Sequence, residues 1–360
     1  MRVLVDGRSL EDASADRGIG TFLRGLLGGL VQEADLDVAA LVRDPRAAPP
    51  GIRPVRVTRR MPPRLSAAEH GLRLPVDLWR ARPDVFHSPA MSPPWASPSP
   101  WVQTIHDVAP LVLDDPRYTK PRARWQRHAR RVRGAAAVVA VSHYSADQAI
   151  RALALEPSRV HVVHLGVDPA FGGDTAPRTE DPPYIALVSQ FEHRKGFDHA
   201  FEIVGRLADA GYPHRLRVVG RITPWDEPEL RRLVAASRRP DRIELVGHKG
   251  HLTELPAFYR GATVTLVPSR FEGFGLPVVE SMASGTPVVA FDNTSLTEVV
   301  GDAGTLVPDG DLGAMVDAVR ALLDDPSHWA AAARRGLARA STFDWRDVGR
   351  AHAAIYRSVA

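Results

Sequence analysis

Val267-Pro-Ser-Arg-Phe-Glu-Gly-Phe-Gly-Leu-Pro-Val-Val-Glu-Ser-Met-Ala-Ser-Gly-Thr-Pro-Val-Val-Ala290 decides how the chain folds. Its apolar start up to Pro268 reads as a buried strand, the segment with Glu272, Gly273 and Gly275 as a loop, and the run from Leu276-Pro277 as a helix, because proline suits a helix's first turn. Pro287–Ala290 opens the next strand, so the unit is strand, crossover helix, parallel strand. The backbone amides of Phe274, Gly275 and Leu276 then fall at a helix N-terminus, where unpaired donors form a ready anion or hydroxyl site. Glu272 precedes the helix and Glu280 lies about a turn inside it, so both carboxylates are expected to face one ligand. Their separation along the helix suits two sets of sugar hydroxyls better than acid and base work on one bond.

The same alternation runs outward in both directions. Short β-branched runs at Arg2–Val5, Val38–Val42, Val55–Thr58, Val85–Ser88, Trp101–Ile105, Ala136–Val141 and Val160–His164 are separated by helical patterns such as Thr21–Glu33, Leu65–Arg80 and Ala146–Leu153. Tyr184–Ser189, Arg217–Val219, Ile243–Val246, Val264–Pro268, Pro287–Ala290 and Thr305–Val307 repeat the arrangement. An α/β fold of two doubly wound, Rossmann-like domains is expected, which also fits 360 residues. Residues 1–170 form the first domain and 171–343 the second, with a linker at about 168–183 where Gly, Pro, Asp and Thr accumulate. The helical pattern at 344–360 packs back on the first domain through Trp345, Val348, Ile355 and Tyr356. A ligand is expected at the carboxyl ends of the strands, in the cleft between the domains.

The composition is that of a soluble globular protein, and the absence of cysteine excludes disulfides, thiolate nucleophiles and Cys-ligated metal. Met1–Asp6 reads as a strand rather than a secretory leader, and no apolar stretch approaches 18 residues, so a cytoplasmic location is expected. Charge is uneven: residues 1–170 hold 24 basic and 17 acidic side chains (+7), residues 171–360 hold 22 and 25 (−3). Arg122, Arg124, Arg127, Arg130, Arg131 and Arg133 fall in one helical pattern with Trp125 and Val132. Arg53, Arg56, Arg59, Arg60 and Arg64 surround Met61-Pro-Pro63. Such a face fits either plain solvation or peripheral docking on the anionic inner face of a membrane, where a lipid-linked acceptor would be found. No nucleic-acid module is present, so nucleic acid is not an expected partner.

Glu272-Gly-Phe-Gly-Leu-Pro-Val-Val-Glu280, followed by Met282-Ala-Ser-Gly-Thr-Pro-Val-Val289, resembles the Glu-x7-Glu signature of the retaining, nucleotide-sugar-dependent glycosyltransferases of the GT-B fold, family GT4 (group 1). The resemblance extends in order through Gly18-Ile-Gly20, Thr104-Ile-His-Asp107, Val141-Ser142, Leu165-Gly-Val-Asp168, Gln190 to Gly196, Val218-Val-Gly220, Leu245-Val-Gly247 and Tyr259-Arg-Gly-Ala262. It implies that Glu280 binds the nucleotide ribose and Glu272 the donor-sugar hydroxyls. The backbone of Gly273, Phe274, Gly275 and Leu276 would meet sugar and diphosphate, and the loop at Gly247 and His248 the nucleobase. It also implies a first-domain loop at Gly18 and Gly20 that closes over the donor phosphate; a plain helix start is the other reading of that stretch.

Paired cations at a strand end neutralise a diphosphate as its charge grows, which assigns that task to Lys195 and Arg194. Many relatives carry an arginine five positions before the lysine; here Gln190 stands there, and Arg194 either takes over that charge or lies on the surface. His106, at the end of an apolar strand, would lie beside the donor sugar, and Asp107 would orient its ring or cap the next turn. His161 and His164 point to opposite faces of a strand, and no carboxylate cluster accompanies them or the pair His248 and His251. No metal and no other cofactor is expected.

The implied reaction moves a hexose, with mannose from GDP-mannose or a deoxyhexose as first choice, onto a glycan or lipid-linked acceptor. No carboxylate pair suited to double displacement is evident, so front-face substitution without metal is expected. A sugar-nucleotide 2-epimerase of the same fold and a catalytically silent GT-B binding protein are the alternatives.

Overall fold

The computed structural model describes residues 1–12, 15, 18–57, 73–176 and 180–360. These residues form two units, Met1–Gly166 with Asp344–Ala360, and Val167–Phe343. The first holds strands β1 (Arg2–Asp6), β2 (Asp37–Val42), β3 (Arg53–Arg56), β4 (Val85–Ser88), β5 (Trp101–Ile105), β6 (Ala137–Ala140) and β7 (Val160–Val162), in the spatial order β3-β2-β1-β4-β5-β6-β7. The second holds β8 (Tyr184–Val188), β9 (Arg215–Val219), β10 (Ile243–Gly247), β11 (Val264–Val267), β12 (Val288–Asp292) and β13 (Thr305–Pro308), in the order β10-β9-β8-β11-β12-β13. The strand pairings are parallel throughout. Central strands covered on both faces read as continuous apolar runs, which is why Val3-Leu4-Val5 and Val264-Thr-Leu-Val267 are buried along their whole length. The order reverses between β1 and β4 and between β8 and β11, giving each sheet a switch point where loops from adjacent strands leave in opposite directions.

In the first unit Leu4, Leu41, Phe86, Ile105 and Val138 meet Leu78, Trp125 and Leu153 from the helices. In the second, Ile185, Leu187, Leu216, Leu266 and Phe291 meet Phe201, Leu207, Val319, Leu322 and Trp329. The helix Trp345–Val359 closes the first unit by packing against the helix Gly18–Leu30 at backbone distance. A Cβ on Gly29 would lie 2.1 Å from the Trp345 carbonyl oxygen, and one on Gly349 would lie 2.4 Å from the Gly29 carbonyl carbon. Trp345, Val348, Ile355 and Tyr356 are all buried.

Some boundaries differ from the sequence reading. The first unit ends at Gly166 rather than 170, because Pro169–Phe171 form a short turn that inserts the fully buried Phe171 among Leu255, Phe258 and Tyr259 of the second unit. A Gly/Pro-rich stretch thus hides an apolar anchor; residues 177–179 of the expected linker lie outside the described residues. The third strand begins at Arg53, and the third helix seen in the sequence starts at Leu74. Thr58 and residues 65–72 lie outside the described residues, as do Arg59, Arg60, Arg64 and Met61-Pro-Pro63 of the expected basic loop. Among the described residues no helix is long and apolar enough to cross a membrane.

Candidate active site

Two loops meet at the switch point of the second sheet. One leaves β8 and carries Ser189 to Gly196; the other leaves the neighbouring β11 and carries Pro268 to Gly275. Gly196 has φ +66°, and a Cβ there would lie 1.9 Å from the Pro268 carbonyl oxygen, so only glycine lets the loops touch. The Arg270 amide donates to the Arg194 carbonyl at 2.7 Å, and the Arg270 guanidinium donates to the His193 carbonyl at 3.0 Å and to Asp198. This zipper brings Lys195 Nζ to 2.7 Å from both oxygens of Glu272, while Ser269 Oγ donates to Oε1 at 2.9 Å. Both side chains are largely withdrawn from solvent. Burial works against ionisation of Glu272, but Lys195 and then Arg194 outweigh it and hold the carboxyl below its ordinary range.

Arg194 is not a surface residue. Its Nε donates to Glu192 at 2.6 Å and its Nη1 to the Phe271 carbonyl at 3.2 Å, leaving Nη1 3.9 Å from Glu272 Oε2. The guanidinium therefore stands behind Lys195, tied to Glu192. Gly275, at φ +97°, turns the chain into the helix Leu276–Ala283 with Pro277 in its first turn. Gly273, Phe274, Gly275 and Leu276 thus surround the helix start beside Glu272, with its first amides preceding any intrahelical bond.

Glu280 is buried one turn further and has partners of its own. Its Oε1 lies 2.8 Å from His251 Nε2, and its Oε2 accepts from Tyr259 Oη at 3.1 Å. Burial and the Glu280 charge push the Tyr259 phenol far above its ordinary value, so it remains a donor. Gly247 ends β10 with φ +86° and accepts the Gly220 amide at 2.9 Å; His248 next to it is exposed. Sequence reasoning gave no role to His251 or Tyr259. Only the order β10-β9-β8-β11 brings the loop after β10 to the helix after β11, and no spacing along the chain announces that.

The remaining expected residues belong to the first unit. His106 follows β5, and its Nε2 lies 2.9 Å from the Pro89 carbonyl, which can only accept. Nε2 therefore carries the proton and Nδ1 the lone pair. Burial lowers the pKa, keeping the ring neutral, and Phe22 meets it edge-on at 4.9 Å between centroids. Asp107 caps the next turn by accepting the Ala109 amide at 3.0 Å. Gly18 and Gly20 lie inside the first turn of the helix Gly18–Leu30, so the stretch opens a helix and is not a loop ahead of it. A Cβ on Gly20 would lie 2.0 Å from the Ala15 carbonyl oxygen, so close backbone approach accounts for that glycine. Asp16 and Arg17 lie outside the described residues. Behind His106, the buried His87 bonds Tyr356 Oη (2.6 Å) and Thr104 Oγ1 (2.8 Å), and its ring stacks on His352 at 5.5 Å.

Comparison with known proteins gives a consistent picture. Residues 17–171 match the model of "Glycosyltransferase Family 4", and residues 182–325 that of "Glycosyl transferases group 1". The chain is 42% identical over 138 residues to a lipopolysaccharide core biosynthesis mannosyltransferase of Rhizobium meliloti, covering 37% of this chain and 38% of that protein. It is 29% identical over 265 residues to the O-antigen chain mannosyltransferase B of Escherichia coli, covering 68% and 67%. The first match thus spans well under two thirds of its relative's length. Sucrose-phosphate synthase from Thermosynechococcus elongatus superposes with a TM-score of 0.80 over 99% of this chain and 98% of its own, at 21% identity, which shows a shared GT-B fold.

Proposed function

The chain belongs to the group 1, family 4 glycosyltransferases, and from that premise we propose that it is a retaining hexosyltransferase using a nucleotide-sugar donor. Mannose from GDP-mannose is the first choice, supported by the names of the two mannosyltransferase relatives. The comparisons lend no support to a 2-epimerase. The acceptor supplies a sugar hydroxyl, and we assign the reaction to the cytoplasm.

One observation carries this reading: a largely shielded cation, Lys195, sits against the buried Glu272 at a sheet switch point and beside a helix N-terminus. On donor binding Lys195 and the helix amides take the diphosphate, Glu272 turns to donor hydroxyls, and Glu280 with His251 and Tyr259 holds the ribose. Arg194 adds positive potential from behind. The acceptor hydroxyl oxygen then bonds the anomeric carbon on the face the diphosphate leaves. The carbon–oxygen bond to the diphosphate breaks with its electron pair on the phosphate, which takes the hydroxyl proton. His106, neutral with a lone pair on Nδ1, tolerates the positive charge that develops on the sugar. Fixed cations serve the leaving group, so no metal is required. The test is release of free nucleoside diphosphate from a panel of sugar nucleotides in EDTA. Release from at least one donor is expected; activity that appears only when a divalent metal is restored removes the metal-free mechanism.

A further inference from the structure

In the first unit a groove of about 1180 Å³ opens between the segment after β4, with Met91 and Trp95, and one side of the helix Thr119–Val132, with Arg124, Arg127, Arg130 and Arg131. That helix has no acidic residue. Among the described residues, no carboxylate comes within ion-pair distance of any of the four arginines, whereas Arg206, Arg217, Arg231 and Arg238 in the second unit all have acidic partners. Arg127 lies three and four positions from its neighbours, so their like charges repel until an anion joins them. Arg131 lies over the indole of Trp95 at 4.7 Å, and Trp95 is half exposed.

The wall opposite the arginines is tied to His106. His106 Nε2 donates to the carbonyl of Pro89, two residues before Met91. Gln103 Nε2 donates to the carbonyls of Ser88 (3.0 Å) and Ala90 (2.8 Å), fixing the segment between them. A ligand in the groove therefore rests on the same pinned segment that orients His106.

We propose that this groove is an acceptor subsite and that the acceptor is a phosphorylated sugar, its phosphate held by the arginine row and its ring laid on Trp95. The assignment rests on the glycosyltransferase reading above. Planar guanidinium forks match phosphate oxygens, and the aromatic face gives the sugar an apolar contact. The phosphate itself does not react. A soluble sugar phosphate fits better than a bilayer: Trp125, Ala129 and Val132 of this helix point into the core, and the small Ala123 that stays exposed among the arginines makes no apolar stripe to enter lipid.

The test is calorimetric titration of the full chain with glucose 6-phosphate, mannose 6-phosphate and their parent hexoses, in the presence of saturating GDP or UDP to occupy the donor site. Each sugar phosphate should bind at least tenfold tighter than its parent, with an advantage that shrinks as salt rises. Arg127→Glu with Arg131→Glu should abolish the advantage and leave the affinity for nucleoside diphosphate unchanged; Arg127→Gln with Arg131→Gln gives the same reading should the reversal fold poorly. Equal binding of phosphates and parents, or an advantage that survives both double variants, overturns the proposal. So does salt-sensitive binding to phosphatidylglycerol vesicles without discrimination among the sugars, which would assign the arginines to a membrane. A wild-type chain that binds sugar phosphate but neither GDP, UDP nor any sugar nucleotide would instead sink the donor reading.

Discussion

The loops after β8 and β11 and the arginine row of the first unit treat charge in opposite ways. Lys195, Glu272, Arg194 and Glu280 are shielded from water and each is matched by a partner from another loop or element, or by a near neighbour. Arg124, Arg127 and Arg130 face solvent and Arg131 lies over Trp95, with no acid beside any of them among the described residues. A buried charge without a partner costs several kcal/mol, so the first region must satisfy itself when empty; exposed guanidiniums bear no such cost. The proposed donor site is thus preorganised but self-occupied: a diphosphate would have to win Lys195 from Glu272. The groove is electrostatically open, and a ligand there breaks no ion pair.

The largest expected effect tests the first half of this contrast. Lys195→Ala should lower turnover by about 100- to 1000-fold, the usual cost of one preorganised charge contact in a transition state. Steady-state release of nucleoside diphosphate measures it. Near wild-type rates would mean that Lys195 only balances Glu272.

A buried ring nitrogen that lacks a partner sharpens the rule from the other side. His352 donates through Nδ1 to the Val348 carbonyl at 2.8 Å, while its Nε2 is buried with no hydrogen-bond partner, and burial lowers its pKa to about 4. The folded value lies below the ordinary 6.5, so the unfolded chain takes up the proton first as pH falls. Stability is complete above 6.5 and is lost from there to about pH 4, by about 3 kcal/mol from this group. Denaturation midpoints measured across that window should fall less steeply in His352→Leu than in the wild type. Parallel curves would show that the ring has a proton acceptor after all.

The smallest effect belongs to the groove. Arg124→Gln should change stability by less than about 0.5 kcal/mol, because an exposed arginine with no ion pair has little to lose. A clear loss in a denaturant titration would reveal a hidden partner and erase the contrast.

How much of this the amino-acid order revealed follows from what is local. The strands were legible because each is a short apolar run buried on both faces, and Lys195, Glu272 and Glu280 stood out as candidates because they flank strand ends and a helix start. The pairing of Lys195 with Glu272 was not legible: each had been matched to a different part of the ligand, whereas the zipper through Gly196 and Arg270 depends on β8 lying beside β11. His251 and Tyr259 escaped for a similar reason, being joined to Glu280 only by strand order. Gly18 and Gly20 stayed open to two readings because a glycine demanded by backbone packing and one demanded by a phosphate look the same in sequence. Phe171 was lost in a stretch whose Gly and Pro pointed to a linker.

The central claim is that the Lys195–Glu272 edge handles a sugar diphosphate and lets the acceptor enter on the face it leaves. Proton NMR of the product formed from an α-linked sugar nucleotide tests this most directly. An α-linked product that accumulates with free nucleoside diphosphate in EDTA, and is almost absent with Lys195→Ala, is the predicted result. A β-linked product would contradict the account.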